Sequence, residues 1–182
     1  GMDDVGVYMV AVQLAAAMTI VIDAVMKAYG PWLFARLKLN DNLINQKIVM
    51  ITYAYFACVT LAAVVLYFLA PVFVPWFAGS EYTQAGKLLA IMGFGVAFSG
   101  MYLALGPYIF FSEKTVSMAV INILAGCVHV FLVFLMVQKY GLQGAVFAGI
   151  ISSGLRFLAV WYAANRLHPM PWLRPFIRTA ES

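Results

Sequence analysis

Six polar side chains interrupt long runs of apolar residues: Gln13, Asp23 and Lys27 in one run, Asn122 and His129 in a second, Arg156 in a third. In lipid such groups are expensive, and they mark surfaces that face a partner, a cavity or a substrate. Asp23 and Lys27 stand four residues apart, so on a helix they share a face and can bond each other. Lys27 can also reach toward the headgroups on its apolar stem. Asn122 and His129 fall on one helix face with Gly126. A lone intramembrane histidine reads more simply as a hydrogen-bonded packing residue than as a proton relay. Arg156 lies halfway along its run, too far from either interface to snorkel. It calls for a partner acid, a water-filled cavity or an anionic ligand; the purely structural alternative is an ion pair with Asp23. If Lys27, Arg156 and Asp23 face one cavity, two cations against one acid leave a net +1. That favours an anion as occupant.

The chemistry is that of binding, and the expectation is a protein that is not an enzyme. There is no Ser/His/Asp or Cys/His arrangement, no phosphate loop and no pair of carboxylates on one segment. Two histidines are too few for a histidine-based metal site, and Cys58 and Cys127 match no metal or redox spacing. No metal and no cofactor are expected.

The elements that position these residues follow from composition. Of 182 residues, 65% are hydrophobic and only 10% charged, with a mean hydropathy of +0.94. A soluble domain of this size cannot hide so much apolar surface. The expected fold class is an all-α integral membrane protein, because barrel strands would alternate polar and apolar over about 10 residues. A helical span needs about 20 apolar residues. The punctuation predicts five, at about 5–37, 43–69, 81–111, 116–137 and 142–167, forming one membrane bundle. Residues 71–79, with Pro71 and Pro75, read as an interfacial piece anchored by Trp76, and 168–182 as a tail. Proline removes a backbone donor, so Gly30-Pro31 and Gly106-Pro107 are the hinge candidates.

The formal charge of +4 reads as loop charge that sets topology. With five spans, Arg36, Lys38, Lys47, Lys114, Arg166, Arg174 and Arg178 share one side, and only Lys87 and Lys139 the other. The positive-inside rule then puts the C-terminus in the cytoplasm and the N-terminus outside. The chain opens Gly-Met-Asp-Asp, without an initiator methionine or a signal-peptide n-region, which suggests a fragment. In the fifth span Gly144, Ala148 and Ser152 recur every four residues beside the row Ala145, Gly149 and Ser153. Small residues so spaced let helix backbones approach closely. Gly93 and Gly95 in the third span read the same way.

The order Val5-Gly-Val-Tyr8, Ala11, Leu14-Ala15, Ala24, Ala28-Tyr29-Gly30-Pro31 and Phe34 resembles bacterial polysaccharide flippases. These are the O-antigen and exopolysaccharide transporters of the multidrug/oligosaccharidyl-lipid/polysaccharide exporter superfamily. Ala70-Pro71, Phe77-Ala-Gly79, Tyr82, the run Ala85 to Leu89, and Lys139-Tyr-Gly141-Leu-Gln-Gly144-Ala145 carry the resemblance onward. It implies the last five of twelve helices arranged as two bundles of six, the N-terminal bundle being the missing partner. It also implies the bacterial inner membrane, and translocation of an undecaprenyl-pyrophosphate-linked oligosaccharide from the cytoplasmic to the periplasmic leaflet, alongside polymerase machinery of polysaccharide and lipopolysaccharide biosynthesis. Basic cavity residues, by position Lys27 and Arg156, would attend the pyrophosphate. The alternative within the superfamily is a cation- or proton-coupled small-molecule exporter in which Asp23 holds the coupling ion. A third reading is a scaffold with no transport of its own.

Overall fold

The computed structural model describes residues 2–172. Those residues form four long helices and a single 3-10 turn, with no strand among them. Helix α1 spans Met2–Leu37, α2 Asn42–Ala78, α3 Thr83–Phe111 and α4 Thr115–Leu167; the turn Ser80–Tyr82 joins α2 to α3. All four helices are long and apolar enough to cross a membrane, consistent with a multi-pass membrane protein. The all-α class is as expected; the number of helices is four instead of five.

The difference lies in α4. A straight helix of 53 residues would be about 80 Å long, far beyond a hydrocarbon core of about 30 Å. The element instead breaks at Gly141, whose φ of 59° and ψ of −139° are not helical. That conformation is close to one reserved for glycine. The limbs 115–140 and 142–167 fold back on each other there: a Cβ on Gly144 would run into the Met136 carbonyl. The spans expected at 116–137 and 142–167 are thus two limbs of one element, with no loop between them. The row Gly144, Ala148 and Ser152 is buried, and its small side chains allow the limbs to meet.

Helix α2 runs past the end expected for the second span at 69. It continues through Pro71 and Pro75 to Ala78, and the Gly79 amide closes it on the Pro75 carbonyl at 3.0 Å. Packing overrides the lost donors. Ala70 and Val74 are buried with Ala85, Leu88 and Leu89 of α3. Gly86 sits so close to this stretch that a Cβ would lie 2.7 Å from the Ala70 carbonyl. Nor does Gly30-Pro31 end its helix, as α1 runs on to Leu37. Leu33 and Leu37 beyond the proline are buried in the main core, which holds the last turns in place. Helix α3 likewise passes unbroken through Gly106-Pro107 to Phe111, with Gly106, Tyr108 and Ile109 buried.

Helix α3 is the centre of the bundle: it packs against α1, α2 and α4, and over half of its most apolar window is buried. Gly93 and Gly95 do serve packing, under Leu66 and Ile150 respectively. One core joins Leu33, Ile48, Phe56, Tyr108 and Val160; the other joins Ala11, Val74, Leu88 and Val146. Residues following α4 return to the first core, where Met170 and Trp172 are buried and Tyr53 donates to the Trp172 carbonyl at 3.2 Å. Beside them the His168 ring meets Phe111 edge-on at 5.4 Å, and burial pushes its pKa below the ordinary value. Of the expected tail 168–182, the stretch from 173 on, with Arg174 and Arg178, lies outside the described residues.

Candidate functional site

Three stretches of helix bring polar groups together at the middle of the bundle. Helix α3 supplies Ser99 and Tyr102, one turn apart. The first limb of α4 supplies Asn122 and His129, two turns apart, and the second supplies Ser152, Ser153 and Arg156. The hairpin at Gly141 makes this possible, because it lays position 129 beside position 152.

Arg156 is the hub. Its Nη2 donates to Ser99 Oγ at 3.1 Å, and its guanidinium carbon stands 4.3 Å from the centre of the Tyr102 ring. Such stacking contributes about 0.5–2 kcal/mol, the upper end when desolvated. Tyr102 in turn donates its hydroxyl to Asn122 Oδ1 at 3.0 Å, so the platform under the arginine is itself fixed. Arg156 Nε is buried and has no hydrogen-bond partner among the described residues. A guanidinium offers five N–H donors in a rigid fork, and here the Nε donor is unspent. A buried unsatisfied donor costs about 1–3 kcal/mol, more when charged. An acceptor that reached Nε would remove that cost.

His129 joins the two limbs. Its Nδ1 lies 2.9 Å from Ser152 Oγ, and Ser152 donates its only hydroxyl hydrogen to the Gly149 carbonyl at 3.1 Å. Ser152 therefore accepts, and His129 Nδ1 donates. That leaves Nε2 as the ring atom available to an occupant.

The groups line two clefts. One, of about 580 Å³, opens between α1, α3 and α4 and includes Tyr8 and Thr19 of α1 with Ser99, His129, Ser153 and Arg156. The other, of about 480 Å³, includes Asn122, Gly126 and Ser152. Tyr102, His129, Gly149, Ser153 and Arg156 border both, which makes them the shared wall of one polar region. Among the described side chains no acid lines either cleft, so Arg156 gives the region a positive character. Among the described residues no group of His, Cys, Asp and Glu is placed to hold a metal ion.

Arg156, His129 and Asn122 are thus gathered at one place. Lys27, Asp23 and Gln13 are not: none borders either cleft. Lys27 and Gln13 are exposed on α1 and Asp23 is half-buried. Neither the expected Asp23–Lys27 pair nor an Asp23–Arg156 pair forms among the described residues; Arg156 turns to Ser99 and Tyr102 instead. Lys27 and Arg156 share neither of these clefts, since Arg156 borders both and Lys27 borders neither. Sequence reasoning missed Ser99 and Tyr102. Their spacing of three placed them on one face, but nothing local tied that face to a residue 54 to 57 positions away. Ser152 and Ser153 were read only as small; they also bring hydroxyls to the clefts.

Comparison with protein-family models, with curated proteins and with solved structures finds no match.

Proposed function

We propose that this chain is the C-terminal part of a bacterial polysaccharide flippase, which moves an undecaprenyl-pyrophosphate-linked oligosaccharide across the inner membrane. The observation that carries the reading is the unpaired Nε of Arg156. A permanent cation is held at membrane depth with no acid beside it among the described residues, its Nε unpartnered there, on a platform of Tyr102. Arginine binds phosphate oxygens through two parallel N–H bonds, whereas lysine offers a point charge. A pyrophosphate head entering the cleft would meet this fork together with Ser99, Ser153 and His129. Hydroxyls nearby suit the sugar attached to such a head. Transport needs no covalent step, and alternating access by rocking of two bundles would expose the site to each leaflet in turn. The resemblance in sequence motifs supplies the particular lipid and the second bundle. Asp23, the residue that a cation-coupled exporter would need, borders neither cleft, so that alternative gains no support.

The test uses the complete gene in cells that lack a polysaccharide flippase. Arg156→Ala should abolish polymer export with protein abundance unchanged, and Arg156→Lys should restore it only in part. Normal export by the alanine variant would remove the anion site from the mechanism.

A further inference from the structure

The end of α1 and the start of α2 enclose a recess of about 220 Å³ between Trp32, Arg36, Ile44, Lys47, Ile48 and Ile51. From this recess we infer a second binding site, for the phosphate of an anionic phospholipid, independent of whatever the Arg156 cleft takes. Among the described residues two cations border it and no acid does. Arg36, in the last turn of α1, complements the partial negative charge of that helix end. Lys47 has no such compensation. It stands in the second turn of α2, near the positive end of that helix, and the first turn holds no acid. Asp41, just before α2, caps the helix with Oδ1 accepting the Leu43 amide at 2.7 Å and does not border the recess. Neither Arg36 nor Lys47 forms an ion pair with a described residue. An anion bridging the two would meet charge that the described residues leave unpaired.

The rest of the recess selects a lipid over a free anion. Its wall is the indole of Trp32, stacked on Tyr29 at 5.8 Å, and three isoleucines that lead from the polar loop into an apolar span. Tryptophan settles at headgroup level, and the isoleucines offer an acyl chain a path away from the cations. A soluble phosphate would use the two charges and waste that wall.

Native mass spectrometry of the full chain in detergent, with phosphatidylglycerol and phosphatidylcholine of equal chain length, reads the site directly. The chain should retain phosphatidylglycerol preferentially. Arg36→Gln and Lys47→Gln should each lower that retention about fivefold, while Lys38→Gln, which removes the same charge from the neighbouring loop, should not. Equal retention of the two lipids would overturn the proposal. So would a loss in Lys38→Gln as large as in the other two, which would make the attraction a diffuse surface effect. Displacement of phosphatidylglycerol by millimolar inorganic phosphate would overturn the lipid as occupant.

Discussion

At the scale of single residues, what distinguishes Arg156 is the way it is held. A charge at this depth could have been neutralised by an acid, and Asp23 was the one the sequence offered. The protein instead fixes the guanidinium with a hydroxyl on one side and an aromatic ring on its face. This arrangement orients the cation without cancelling it. The two functions of Tyr102 can be separated. Tyr102→Phe keeps the ring under Arg156 and removes only the bond to Asn122, at a cost of about 1 kcal/mol. Thermal unfolding in detergent should register that loss while export continues. Tyr102→Leu removes the platform as well, and export should fall toward that of Arg156→Ala. If both variants exported equally well, the ring would have no positioning role. The arginine was legible in the sequence because a midspan charge stands out. Its surroundings were not, since serine and tyrosine in an apolar run carry no mark of which distant helix they will meet.

At the scale of elements, the helical hairpin of α4 decides whether the site exists. Gly141 makes the reversal and Gly144 lets the limbs close, and the two glycines act through different physics. Gly141 is a conformational requirement: at a φ of 59° and ψ of −139° an alanine pays about 1–3 kcal/mol in backbone strain, although nothing lies within 4 Å of its Cβ. Gly144 is a steric requirement, because its Cβ would strike the Met136 backbone, which cannot rotate away. Gly149, whose nearest neighbour is His129 Cε1 at 4.0 Å, is the control. Gly141→Ala and Gly144→Ala should both lower the melting temperature, and Gly149→Ala should leave it nearly unchanged. Equal tolerance of all three would mean that the limbs do not pack as closely as described. The four-residue repeat revealed the contact in advance, but the prolines misled. Pro71 and Pro75 suggested a helix end because their local cost is certain, whereas the burial of Ala70 and Val74 that outweighs it is a property of the neighbouring helix α3.

At the scale of the whole molecule, composition alone pointed to a membrane bundle, and orientation is where sequence and architecture now meet. The hairpin keeps the parity on which the charge count depends. Two limbs crossing in opposite directions return the chain to the side it left, so Lys114 and Arg166 lie at one end of α4 and Lys139 at the reversal. Arg36, Lys38 and Lys47 flank the α1–α2 connection. If every helix and both α4 limbs cross, that connection shares a side with Lys114 and Arg166. The positive-inside rule counts these short flanking segments, and it assigns them to the cytoplasm. Lys139→Cys, in a protein whose Cys58 and Cys127 are replaced by serine, should then react with an impermeant thiol reagent added outside intact cells. Lys38→Cys should be protected until the membrane is opened. The reverse pattern would invert the bundle and turn the Arg156 cleft over in the membrane. Labelling of both positions from outside would show that the hairpin does not span, and the polar site at its middle would then lie at the surface, where an unpaired arginine requires no special explanation.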